Sequence, residues 1–322
     1  MLPPHRTLSI LDPTSLLGRE VTDGIVRAFP DVRRRLFHTG ADPEHLVAEV
    51  AGEAALVGPL LEPDDLDGSV AVVLTATPAA QAGTRLLAWL RANRSVALLD
   101  CTQPGVAGAE ASCVLDALPR ERPGLPWYHL VDPSLAAPAR WLKALLPLAP
   151  EAFFATVLCP ASGFGAEAID ELASQGTARL SGRPTRRPAH LPAVLAFDLA
   201  PAAGERPATL EAQLGELFPG VEQGLHVVDA GVFHGTLATV LVRCAEEASL
   251  ERARALIRAT PALRLTRRNE TVTATDAVER GHVFCGDLRV HRRWVTAWLL
   301  ADALRVGVAG AVVELLGSLT AS

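Results

Sequence analysis

Few residues in this chain are of types that carry covalent chemistry, and they are scattered. Lys143 is its one lysine, so a phosphate-loop lysine or a Schiff base has a single candidate. Cys101, Cys113, Cys159, Cys244 and Cys285 are odd in number and far apart. That spacing gives no disulfide framework and no zinc-ligand set, so buried thiols and no metal are expected. The most suggestive spacing is Asp12-Pro13-Thr14-Ser15-Leu16-Leu17-Gly18, which stands where a dinucleotide-binding protein carries a glycine-rich turn. Glycines there let the backbone bend tightly and let a pyrophosphate approach the helix N-terminus. Only Gly18 is left, in the place that permits close helix packing, and an inward Asp12 carboxylate would repel a diphosphate. Asp12, Thr14 or Ser15 is expected to cap the following helix instead.

The elements around that turn alternate as in a parallel sheet. Residues 7–11 form a short apolar run, and residues 16–29 place Leu17, Val21, Ile25 and Ala28 on one helical face. Residues 69–78 and 95–100 are apolar strand candidates separated by a helix candidate at 81–92, completing a Rossmann-like βαβ pattern. After a helix near 137–146 the chain changes character. Residues 153–162, 226–243 and 282–290 are β-rich, with a helix expected at 250–259. The Pro/Arg-rich segment 182–192 is expected to be a surface excursion. Residues 298–319 show helical spacing through Val308, Ala311, Val312 and Leu315, fit to pack back on the first domain. The expected fold is α/β, with a Rossmann-like NAD(P)-binding-type domain over 1–133 and 303–322 and an α+β domain over 134–302.

At 322 residues, 49% hydrophobic and net charge −6, the chain can bury a substantial core, and no nucleic-acid or membrane partner is indicated. The arginines at 33–35 and at 267–268 are most simply solvated surface. No apolar stretch reaches the roughly 18–20 residues of a membrane span, and a cytoplasmic location is expected.

Several stretches, in order along nearly the whole chain, resemble the aspartate-semialdehyde dehydrogenase family. They are SGFGAEAIDEL from Ser162, LAFDLAP from Leu195, GVFHGTLATV from Gly231, NETVTATDAV from Asn269, VFCGDLR from Val283 and LLADALRVGVAGAVV from Leu299. The resemblance implies an NAD(P)-dependent enzyme of amino-acid biosynthesis with a nucleophilic cysteine, an acid/base histidine, substrate-binding arginines and a dimerisation domain. It places Ser162 and Gly163 with Asp12, Thr14, Ser15 and Gly18 as degenerate cofactor-binding positions.

Set against that pattern, the machinery is missing. The nucleophile position is Leu135, which forms no thioester; a register slipped by one would put Ser134 there. The histidine position is Thr236, which cannot cycle a proton near neutral pH. A substrate arginine becomes His234 and a phosphate-binding arginine becomes Val106, while Ala303 and Val306 stand for the family's Asn and Lys. The family's active-site glutamine corresponds to Cys159, so Cys159 and His234 are candidates for a relocated Cys/His pair. The chain also resembles the Usg-type non-catalytic paralogues. The expectation is a pseudoenzyme without cofactor, acting as a homodimer or in a hetero-oligomer with an active paralogue. The alternatives are altered chemistry at Cys159 and His234, or a residual NAD(P)-dependent semialdehyde dehydrogenase.

Overall fold

A computed structural model describes residues 6–40, 44–115, 126–278 and 280–319. The chain divides into two compact units, one of residues 1–132 with 308–322 and one of residues 133–307.

The first unit runs β1 (Thr7–Leu11), α1 (Leu16–Ala28), β2 (Arg33–His38), β3 (Leu46–Val50), β4 (Glu53–Pro59), β5 (Ser69–Leu74), α2 (Ala80–Ala92), β6 (Ala97–Asp100), β7 (Ser112–Val114) and β8 (Trp127–Leu130). Among the described residues these strands make one sheet in the order β3-β4-β2-β1-β5-β6-β8-β7, parallel except for the β3/β4 hairpin. The central strands are apolar on both faces because both faces are covered. Leu8, Ile10, Val73 and Leu99 pack under α1, and Leu11, Val72, Leu74 and Leu98 pack under α2 with Leu86, Trp89 and Leu90. The buried face of α1 is Gly18, Val21, Thr22 and Ile25. Ala28, which the periodicity puts on that face, is exposed at the helix end.

The second unit continues with α3 (Ala136–Leu145), β9 (Pro150–Cys159), α4 (Ala166–Leu180), β10 (Leu199–Pro201), α5 (Arg206–Leu217), β11 (Glu222–Ala230), β12 (Thr236–Cys244), α6 (Leu250–Arg258), β13 (Leu263–Leu265), α7 (Ala274–Val278), β14 (Val283–His291) and β15 (Trp294–Ala301). Its described strands form a mixed sheet ordered β10-β11-β9-β12-β15-β14-β13. Helix α3 packs on β9, β12 and β15, and α6 on β13 and β14. Burial alternates along β9, so that Phe153, Ala155, Val157 and Cys159 are buried while Phe154, Thr156 and Leu158 on the opposite face keep solvent contact. Gly224 on β11 is required there, because a Cβ would lie 2.6 Å from the Phe154 ring. The excursion after α4 is held down by Glu171, whose carboxylate accepts the backbone N–H groups of Ala189, His190 and Leu191.

Residues 298–319 are not one helix. Trp298 to Ala301 complete β15, residues Ala303–Ala309 form a π-helical stretch, and only Gly310–Leu319 (α8) is α-helical. An apolar run buried in a sheet looks the same in sequence as a buried helix segment. Helix α8 belongs to the first unit, where Ala311, Val312, Leu315 and Leu316 join the core beneath α1.

Candidate functional site

In the first unit, the β1–α1 turn is filled by its own groups. Ser15 is the N-cap: its Oγ accepts the Gly18 N–H at 2.9 Å, in extended backbone at φ −63°. Asp12 has a left-handed backbone at φ 59°, and its carboxylate accepts the Thr39 N–H at 2.8 Å and the Thr39 hydroxyl at 2.7 Å, beyond the end of β2. Burial pushes the Asp12 carboxyl up, against the lowering effect of those two bonds and of His38. Gly18 must be glycine because a Cβ would lie 2.3 Å from the Asp12 carbonyl oxygen and 2.8 Å from Ser15 Oγ. Pro13 is buried and brings no N–H. A diphosphate cradle needs free backbone donors at the helix entrance and no neighbouring anion. Here the Gly18 N–H is capped by Ser15, Pro13 ahead of the cap brings no donor of its own, and a carboxylate stands beside them, so these residues do not fit the phosphates of a nicotinamide cofactor. Val106, also in this unit, packs with the α2 core and donates its N–H to Asp100 Oδ2 at 2.6 Å.

In the second unit, Leu135 immediately precedes α3 and is 0% exposed. Ser134 beside it is buried and engaged. The start of α3 is tied to the π-helical stretch, since a Cβ on Gly307 would be 3.0 Å from the Ala136 Cβ, and buried Arg140 donates to the Val306 carbonyl. The places of Leu135 and Val306 are therefore occupied by core packing, while Ala303 opens the π-helical stretch.

The sheet brings three polar side chains into one buried row. Cys159 at the end of β9 pairs in register with Asp229 on β11. On its other side Leu158 pairs with Leu237 on β12, which sets Thr236 next to Cys159. Cys159, Asp229 and Thr236 are 1%, 2% and 2% exposed. Asp229 accepts a 2.7 Å bond from Arg206 Nη1 at the start of α5, and the Arg206 guanidinium lies over the Phe164 ring at 4.8 Å. Burial pushes the Asp229 carboxyl up, with Arg206 pulling the other way. The Thr236 hydroxyl is buried with no hydrogen-bond partner.

His234 lies in the turn before β12 and is partly exposed. That turn is fastened to the segment after β9, because Ala161 N donates to Val232 O at 2.9 Å and Ser162 N to Phe233 O at 3.0 Å. Ser162 and the His234 turn are thus brought together, but the Ser162 amide is already used; Gly163 is exposed. Sequence reasoning misses the Arg206–Asp229 pair. Its signal is a carboxylate at a core-facing position of a strand, following Leu225 and Val227 in alternation, which requires a cationic partner. Among the described residues no group of three or more His, Cys, Asp and Glu side chains could hold a metal ion.

Residues 142–306 match the family described as semialdehyde dehydrogenase, dimerisation domain. The chain belongs to this family. Solved structures similar to it include aspartate semialdehyde dehydrogenase II from Vibrio cholerae, complexed with ASA, at TM-score 0.86 and 20% identity over 98% of each chain. A probable aspartate-semialdehyde dehydrogenase from Pseudomonas aeruginosa gives 0.76 and 22% over 96% of each chain. The aspartate semialdehyde dehydrogenase of Francisella tularensis gives 0.79 and 13%, covering 97% of this chain and 99% of the other. These likenesses establish the shared fold. No curated protein matches the sequence. Within the semialdehyde dehydrogenase dimerisation domain lie Cys159, Arg206, Asp229, His234 and Thr236; Leu135 and the β1–α1 turn lie outside the matched residues. No helix among the described residues is long and apolar enough to cross a membrane.

Proposed function

We propose that this chain is a non-catalytic semialdehyde dehydrogenase homologue that works in the cytoplasm as a homodimer built on its second unit. The observation that carries the reading is Leu135, a hydrocarbon side chain wholly buried where the resemblance puts the nucleophile. Thr236 stands at the acid/base position as a hydroxyl with no partner to accept or supply a proton. Arg206, the guanidinium beside this row, is neutralised by Asp229, which leaves it a weak holder of a substrate carboxylate. The β1–α1 turn, with its capped donor, its proline and its carboxylate, argues against a bound nicotinamide cofactor. A mixed dimer with an active paralogue would use the same domain.

The deciding assay follows NADP- and NAD-dependent oxidation of aspartate semialdehyde in phosphate. No turnover is expected with either cofactor. Turnover that disappears in Cys159→Ala would overturn the reading and transfer the chemistry to the buried row.

A further inference from the structure

A cleft in the second unit concentrates positive charge that none of the residues around Cys159 shares. It is lined by residues of α6, of the segment following β13 and of β13, β14 and β15, and has a volume of about 900 Å³. Arg254, Arg258, Arg267 and Arg268 line it. The acidic side chains at the cleft are already committed. Glu270 accepts from Arg264 at 2.8 Å and from the Arg267 backbone N–H at 2.9 Å, and Asp287 pairs with Arg289. Arg264 is further held over the Phe284 ring at 5.1 Å. The four lining guanidiniums are exposed and make no ion pair or side-chain hydrogen bond within contact distance among the described residues, though Glu270 partly offsets the charge of Arg267.

This is a different situation from solvated surface arginines, the reading that composition alone suggests for Arg267 and Arg268. Residues 251–293 hold ten arginines and five acidic residues in a chain whose net charge is −6. Like charges converging on one concavity repel each other, and the concave shape focuses their field. Guanidinium is the side chain whose planar fork matches phosphate oxygens in pairs. The two arginines of α6 lie four residues apart, hence on one helix face, and Arg267 and Arg268 come from the segment after β13. The volume falls within the range of pockets that hold one small molecule.

We propose that this cleft is a binding site for a small molecule carrying two or more phosphates, gripped by Arg254 and Arg258 together with Arg267 and Arg268. The site stands apart from the pseudoenzyme reading, since it uses none of the residues of the Cys159 row.

The test is calorimetric titration of the full chain with inorganic tripolyphosphate at fixed ionic strength, beside orthophosphate and a single-stranded oligonucleotide. Three proteins are compared: wild type, R267Q/R268Q, and R186Q/R187Q as a control on the basic excursion after α4. Tripolyphosphate is expected to bind wild type and the control equally, and R267Q/R268Q at least about tenfold more weakly, the order of effect for losing charge-assisted hydrogen bonds. Orthophosphate should bind more weakly than tripolyphosphate to wild type. No heat with tripolyphosphate at millimolar concentration, or an equal loss in both double variants, would overturn the proposal. So would an oligonucleotide binding more tightly than tripolyphosphate at equal phosphate concentration, which would mark a nucleic-acid surface. Circular dichroism melting confirms that each variant is folded before its titration is read.

Discussion

Asp12 is a carboxylate whose folded environment disfavours its charge, and the pH dependence of stability follows from that. Its carboxyl is raised by burial, so the folded state binds the proton more tightly than the unfolded chain does. The cost of the charged form is present above the folded pKa and fades as pH falls through it toward the ordinary value of about 4. Asp12→Asn keeps one acceptor for the Thr39 N–H and offers a donor to the Thr39 hydroxyl while removing the charge. It is expected to melt higher than wild type at pH 7, with the difference vanishing by about pH 3, below the ordinary carboxyl value. A variant that melts lower at pH 7 would mean that the second bond to Thr39 outweighs desolvation. At this scale sequence was an uneven guide. That one of Asp12, Thr14 and Ser15 caps α1 could be read from residue type and position, and the cap is Ser15. That Asp12 turns away to Thr39, 27 residues along, could not, nor could the match of Arg206 to Asp229 across 23 residues, because such pairs depend on which element ends the fold brings together.

At the scale of elements, the entry to α1 separates a chemical contribution from a steric one. Ser15→Ala removes the cap on the Gly18 N–H and should cost about 1 kcal/mol. Gly18→Ala forces a Cβ against the Asp12 carbonyl and should cost more than about 2 kcal/mol, as overpacking of a rigid contact does. Urea denaturation of the two variants tests that order; equal losses would show that the turn relaxes freely. Helix α1 was legible because its apolar residues recur at helical spacing, and β1, β5 and β6 because their short apolar runs alternate with helix candidates; β2, β3 and β4 were not read. The stretch from Trp298 onward was not legible. Trp298, Leu299, Leu300 and Ala301 are apolar without alternation, and whether such a run is strand or helix is decided by the neighbours on either side of it. Here those neighbours are β12 and β14.

For the whole molecule, the test of assembly is the uncovered face of the second sheet. Phe154 is 39% exposed there and lies against Gly224 with Leu241 and Thr239 nearby. An aromatic ring left at the surface of a sheet is a poor match to water and a good anchor for a second copy. Phe154→Asp is expected to convert a dimer to a monomer in sedimentation velocity while leaving the melting profile of the first unit intact. A wild-type chain that sediments as a monomer, or a variant that remains dimeric, would move the interface elsewhere or remove it. Membership of the family could be read in the order of weak motifs along the chain. The arginine cleft could not, because its members come from a helix, a loop and three strands that only the folded sheet gathers.

The placement of α8 also governs the order in which the chain can become a protein during synthesis. The first unit draws part of its core from Ala311, Val312, Leu315 and Leu316, which leave the ribosome only after every residue of the second. Residues 133–307 can therefore close on themselves while β1, α1 and β5 still wait for the segment that completes their core. The unit translated first is the last to be finished.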